Sequence, residues 1–311
     1  MAIVVLFLVA AALLYAGLVA GVTMALARPS RKTEGVALGR GIPIVPADAG
    51  LEGEAVVFTL SQGESTAGFI VQGDRPDGPV CVVLHGYRDA RYDGLLRAAW
   101  VRPWVAATVA FDLPGHGDAH AKTPTYGQRE PADVAAVLDQ LPDGLRGRPV
   151  VLMGYSMGGQ LVLRTAASGA VTPAGVICEQ PYRCLNGPIA NLMRRRRYPV
   201  RPVVPVVVWL LERVFGIARR FDRVEDAARL GAAGCPLWVP HGDADWLCPV
   251  EDGQAIAEAA ESAGGVTRLD VFPGSPHVAL HYEDPERYAA GLAWLFEAAA
   301  RQPNAPTEAS G

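Results

Sequence analysis

One stretch constrains the fold more than any other: Val150-Val151-Leu152-Met153-Gly154-Tyr155-Ser156-Met157-Gly158-Gly159, an apolar strand that runs through Gly-x-Ser-x-Gly into a helical segment. A serine so placed sits on a turn too sharp for side chains at its neighbours, which accounts for Gly154 and Gly158. The strained turn lifts the hydroxyl above the sheet, and the following helix aims its first amides at the same spot. The pattern alone also describes a glycine-rich turn; the flanking strand and helix make Ser156 a candidate nucleophile and the Met157 amide a candidate oxyanion donor.

The rest of the chain supplies a frame for such a turn. Short β-rich runs are expected at Glu54 to Leu60, Thr66 to Gln72, Pro79 to Leu84, Val105 to Phe111, Arg148 to Met153, Ala174 to Cys178, Pro236 to Pro240 and Thr267 to Phe272. The later runs are apolar throughout, as strands covered on both faces should be. Helical stretches fit Pro131 to Leu141, Met157 to Ser168, Glu251 to Ala263 and Pro285 to Ala300. Strands alternating with helices predict a mostly parallel, eight-stranded sheet flanked by helices. Residues 181 to 229 break the rhythm with Arg194-Arg195-Arg196-Arg197, an apolar run from Val203 to Leu211, and Arg219-Arg220. This segment is expected to be a cap over the ligand-bearing end of the sheet. Its apolar run is too short and too interrupted by Pro202 and Pro205 for a second membrane span.

Three more strand ends carry polar groups. Val82-Val83-Leu84 empties into His85-Gly86-Tyr87. A glycine there lets the backbone pass close to a bound carbonyl, so the Tyr87 amide is the expected second oxyanion donor, with His85 as scaffold. Pro236 to Pro240 leads into His241-Gly242-Asp243-Ala244-Asp245. Asp245 is the expected carboxylate that orients a catalytic imidazole, while Asp243 fits local turn hydrogen bonding. Phe272-Pro273-Gly274-Ser275-Pro276-His277 places a histidine on a loop after the last strand, free to shuttle a proton from Ser156. His281 is expected at the surface, and His116 and His120 are expected to be structural or exposed.

Composition narrows the partners. Lys and Arg total 28 against 32 Asp and Glu, a net charge of -4 that gives no general attraction to nucleic acid. Five scattered cysteines form no C-x-x-C pair, so neither a metal nor a cofactor is expected, and unpaired thiols favour a reducing compartment.

From Met1 to Ala27 no side chain is ionisable, and this stretch exceeds the roughly 20 residues needed to cross hydrocarbon. An uncleaved transmembrane anchor competes with a cleaved export signal ending at Ala25-Leu26-Ala27. The apolar core is longer than the roughly 7 to 15 residues usual in a signal, no basic residue precedes it, and Pro29 follows the cut, so the anchor is the expectation. Arg28, Arg31 and Lys32 follow the span and place the catalytic domain in the cytoplasm; a cleaved signal would place it outside. The expected organisation is an anchor over 1–27, a linker over 28–52, a catalytic domain over 53–301 with its cap, and a disordered tail over 302–311.

The order Ser156, Asp245, His277, the His85-Gly86 loop and Phe111-Asp112-Leu113-Pro114-Gly115-His116-Gly117-Asp118 together resemble the α/β-hydrolase superfamily over roughly residues 53 to 300. Asp118 stands where that superfamily commonly has serine. Tyr126-Gly127-Gln128-Arg129-Glu130 with Asp133-Val134 is similar to a membrane-associated subgroup, the Bem46-like hydrolases. The resemblance implies the α/β-hydrolase fold and a serine hydrolase that cleaves an ester or thioester through an acyl-serine. The serine, in place of an aspartate at the elbow, argues against alkyl-ester chemistry. The apolar, arginine-flanked cap points to a small acyl or lipid substrate and to membrane contact through both anchor and cap. A peptidase of the prolyl-aminopeptidase kind and a non-catalytic membrane-bound binding protein are the alternatives; the sequence leaves the oligomeric state open.

Overall fold

The computed structural model describes residues 1–217 and 221–302. Eight strands form one sheet: β1 (Gly53–Thr59), β2 (Ser65–Gln72), β3 (Val80–Leu84), β4 (Ala107–Phe111), β5 (Val150–Tyr155), β6 (Gly175–Glu179), β7 (Leu237–Gly242) and β8 (Thr267–Phe272). Their order is β1-β2-β4-β3-β5-β6-β7-β8. β2 pairs antiparallel with both β1 and β4, and every other pairing is parallel.

Alternation of side chains along the strands divides the core in two. Val80, Val82 and Leu84 of β3, Leu152 of β5 and Val239 of β7 point to one face. There they meet α4 (Glu130–Asp139), α5 (Met157–Ala167), α8 (Arg223–Ala232) and α9 (Val250–Ser262). Cys81, Val83, Val151, Met153 and Trp238 point to the other, under α11 (Pro285–Ala300) and the end of α3 (Arg91–Val101). β3, β4, β6 and β7 are buried at every residue, which explains why their sequences are apolar rather than alternating.

α1 (Ala2–Ala27) is long and apolar enough to cross a membrane, with a mean hydropathy of 2.8 over its most apolar window. It does not stand apart from the body. Val19, Thr23 and Ala27, spaced four apart on one helix face, are buried, and the helix packs along α7 (Val204–Arg213).

Residues 28–52, expected as a linker, are packed chain. They contain α2 (Glu34–Leu38), capped by the Thr33 hydroxyl, and a 3-10 turn over Pro46–Ala49. Ala37 and Leu51 are buried against Phe69, Val71 and Tyr92, so this stretch covers the antiparallel edge of the sheet. Within 181–229, the segment expected as a cap, lie α6 (Asn186–Arg195) and α7. α8 belongs instead to the sheet's flank: a side chain at Gly231 would lie 2.1 Å from the Ala260 carbonyl oxygen, so α8 and α9 pack backbone to backbone there. Arg219, Arg220 and the expected tail beyond residue 302 lie outside the described residues. The short α10 (Leu280–Glu283) completes the helices among those described.

Candidate active site

The sheet's strand order reverses between β3 and β5, and the chain leaves β5 at Ser156. Ligand-bearing loops of an open α/β sheet gather at such a point, outside the carboxyl ends of the strands. Ser156 has φ 54° and ψ −116°, a conformation that the surrounding backbone must impose. Its amide donates to the Glu179 carbonyl at 2.9 Å, and its own carbonyl accepts from Gln160. A Cβ on Gly154 would sit 2.2 Å from the Gly158 oxygen, and one on Gly158 would sit 1.9 Å from the Leu84 oxygen. Both glycines are therefore required by close backbone approach.

The Ser156 hydroxyl lies 2.9 Å from His277 Nε2, and His277 Nδ1 lies 2.6 Å from Asp245 Oδ2. An ionised carboxylate only accepts, so Nδ1 carries the hydrogen and Nε2 is left as the acceptor for the serine hydroxyl. The Asp245 side chain is fully buried, and its Oδ1 accepts from the Leu247 and Cys248 amides, both at 2.9 Å. Asp243 takes no part in this chain; its Oδ1 accepts from the Gly274 amide and ties the β7 loop to the β8 loop.

Beside the serine, the Met157 amide opens α5 and the Tyr87 amide follows β3. Neither has an acceptor among the described residues. His85 sets the direction of the second. The Leu113 amide donates to His85 Nε2 at 3.0 Å, so Nδ1 carries the hydrogen and donates to the Gly86 carbonyl at 2.8 Å. That carbonyl and the Tyr87 N–H share one peptide plane and point in opposite directions, so fixing one aims the other. His85 is thus part of the scaffold, as the sequence predicts.

Three further histidines, His116, His241 and His281, are held neutral. Burial and the nearby His85 push the His116 imidazole down to about 3, and its Nδ1 donates to the Pro114 carbonyl. Burial likewise lowers His241, whose Nε2 donates to the Cys248 carbonyl. His281 is buried rather than at the surface: it packs on Trp100, Tyr282 and Tyr288, and burial pushes it down to about 4. Asp118, the departure from the commoner serine, pairs at 2.8 Å with Arg91, which also pairs with Asp112.

Two residues near the site were not picked out from the sequence. Gln180, with φ 44°, donates through Nε2 to Asp245 Oδ2 and to the Pro276 carbonyl, both at 3.1 Å, and accepts from the Val278 amide. Its signal was its place: a polar residue immediately after a wholly buried strand of a parallel sheet. Cys248 places its sulfur within 4.8 Å of donor atoms of Asp245 and His277, where burial raises the thiol well above its ordinary range.

Residues 81–291 match the family model described as the alpha/beta hydrolase family. Protein phosphatase methylesterase 1 from Pongo abelii is 31% identical over 150 residues, which is 45% of this chain and 38% of that protein; the chain thus spans well under half the length of the curated relative it matches. The Pyrococcus furiosus esterase Pf2001 superposes with a TM-score of 0.68 at 20% identity, over 88% of this chain and 97% of that one. The Pyrococcus horikoshii acylaminoacyl peptidase superposes at 0.60 with 14% identity, over 84% of this chain and 43% of that one. At these identities the solved structures attest the fold, and the family match spans the Ser156 turn and the His277 loop. With its eight-stranded, mostly parallel sheet and a family match over most of its length, this chain belongs to the alpha/beta hydrolase family of enzymes.

Proposed function

We propose that this protein is a membrane-anchored serine hydrolase that cleaves a carboxylic ester or thioester of an acyl or lipid-like substrate. The observation that carries this reading is the unbroken hydrogen-bonded line from Asp245 through His277 to Ser156, at 2.6 and 2.9 Å. In this reading the Ser156 oxygen attacks the carbonyl carbon while its proton passes to His277 Nε2. Negative charge forms on the carbonyl oxygen and is stabilised by the Tyr87 and Met157 amides, together with the N-terminus of α5. Asp245 holds the working tautomer of His277 and stabilises the imidazolium. As the tetrahedral species collapses, the bond to the leaving alcohol or thiol breaks and the leaving group takes the proton from His277. Water then repeats the sequence on the acyl-serine, giving the carboxylic acid and free Ser156.

An ester is the bond class that the names of the esterase and methylesterase relatives share. The lipid-like character rests on this chain's own surface. Ile3, Leu6, Phe7 and Leu14 of α1 are exposed, as are Leu192 of α6 and Val206 and Trp209 of α7, next to the run Arg194 to Arg197. α1 seated in a bilayer, with the cap arginines at its anionic headgroups, accounts for this surface. The basic residues that follow α1 support a catalytic domain on the cytoplasmic side. Burial of Ala27 and Thr23 against the body favours an anchor that is kept over a signal cut at that point. The test is hydrolysis of p-nitrophenyl esters by wild type and Ser156→Ala, with fluorophosphonate labelling in parallel. Wild-type turnover in the variant would remove the assignment.

A further inference from the structure

The eight residues from Ala25 to Lys32 reach into the catalytic domain at two loops, both on the oxyanion side of the site. The last carbonyls of a helix have no partner within it. In α1 those of Ala25 and Leu26 accept from the hydroxyls of Tyr87 at 2.6 Å and Tyr126 at 2.8 Å. Arg31 donates to the carbonyls of Gly117, Ala119 and Ala121 in the loop after β4. Lys32 is 4% exposed, and its ammonium contacts both Asp93 oxygens at 2.6 and 2.7 Å and Asp89 at 2.8 Å.

Asp89 is the far end of the turn that carries Tyr87. Its amide donates to the Gly86 carbonyl, the same carbonyl that His85 fixes from the other side. The Tyr87 peptide is therefore tied through its own hydroxyl to Ala25, through Asp89 to Lys32, and through Gly86 to His85. Two of these three ties come from the segment leaving α1. A buried lysine bound to two carboxylates is a costly way to gain stability, since desolvation of the charges offsets much of their attraction. It does fix a geometry: without the ammonium, Asp89 and Asp93 would repel each other, and the turn would open where the Tyr87 amide must point.

We propose that Lys32 is a positioning residue for the oxyanion loop, so that the segment joining the anchor to the sheet is a working part of the active site. The proposal rests on the reading of Tyr87 as an oxyanion donor. It accounts for a basic residue being drawn out of solvent directly after a membrane span, where lysine ordinarily reaches for water and headgroups.

The experiment uses the whole chain in detergent at 25 °C, with p-nitrophenyl butyrate as probe. Removal of one oxyanion donor typically costs about 10²- to 10³-fold in kcat, so displacement of one should cost less. Lys32→Met is expected to lower kcat about tenfold or more with KM within about twofold, to slow fluorophosphonate labelling in step, and to be largely rescued in Lys32→Arg. Tyr87→Phe, which keeps the amide and loses the hydroxyl tie, is expected to lower kcat severalfold at unchanged KM. Asp89→Ala, at a half-exposed position, serves where Lys32→Met does not fold, with the same expected fall in kcat. Folded variants with wild-type kcat, or a loss confined to KM, would overturn the proposal while Ser156→Ala remains inactive. An active Ser156→Ala would overturn both this proposal and the site reading beneath it.

Discussion

Gln180 grips the loop of His277 on both sides of the histidine, donating to the carbonyl of Pro276 and accepting from the amide of Val278. The same amide nitrogen that reaches Pro276 also reaches Asp245. One buried side chain thereby braces His277 against Asp245. Val278 itself has φ 63°, so the loop is held in a shape its sequence does not favour.

Gln180→Ala should therefore lower kcat about tenfold, a loss near 1.4 kcal/mol of transition-state stabilisation, because Asp245 keeps two backbone donors while His277 loses its brace. Steady-state kinetics with a p-nitrophenyl ester test this. Unchanged kcat would mean that the loop holds itself.

Asp245→Asn should lower kcat by on the order of 10³ to 10⁴, since an amide in that place supports the wrong imidazole tautomer. Asp243→Asn should cost far less, because Asp243 holds only the Gly274 amide. Equal losses in the two variants would move the orienting role to Asp243.

The buried histidines make stability depend on pH with a definite sign. His116 and His281 are lowered from 6.5 to about 3 and about 4, so between pH 4 and 6.5 the unfolded chain binds protons that the folded one refuses. Stability is then fully present above pH 6.5 and falls as pH drops, by about 1.4 kcal/mol per pH unit for each such histidine. Burial raises the Asp93 and Asp252 carboxyls, which act in the opposite sense over the acidic part of this window. Thermal unfolding of wild type and His116→Phe at constant ionic strength should show Tm falling less steeply below pH 6.5 in the variant. Parallel curves would contradict a neutral, buried His116.

The membrane reading predicts that the whole chain fractionates with membranes and resists alkaline carbonate, whereas a protein beginning at Pro46 is released. A plain linker over 28–52 would leave that shorter protein fully active. The contacts of Lys32 and Ala37 change the expectation: the shortened form should be soluble but less stable and slower in kcat. Recovery of a soluble chain lacking its first 27 residues would instead identify a cleaved signal and an extracytoplasmic site.

What the sequence made legible follows the range of the forces involved. β8 and α11 begin and end where their periodicity places them, because apolar spacing and the Asp284 cap with Pro285 at the first turn are local signals. β5 runs to Tyr155, past the expected Met153, because pairing with β6 continues through Gly154 and Tyr155 into the serine turn. α3 was missed: its buried face includes Asp93, Gly94 and Arg97, whose partners Lys32, Ala110 and Glu179 are remote in sequence. Gln180 escaped notice for the same reason, and Lys32 was read only as a charge flanking the apolar segment. A polar residue's role is set by what it meets, and Lys32 meets a carboxylate 61 residues away.

The central claim is an activated Ser156, and intact-mass analysis after fluorophosphonate treatment tests it most directly. Wild type should gain one probe adduct, mapped to Ser156, while Ser156→Ala gains none and His277→Ala reacts far more slowly. An adduct on Ser156→Ala equal to that on wild type, or a folded wild type that takes up no probe, would contradict the account.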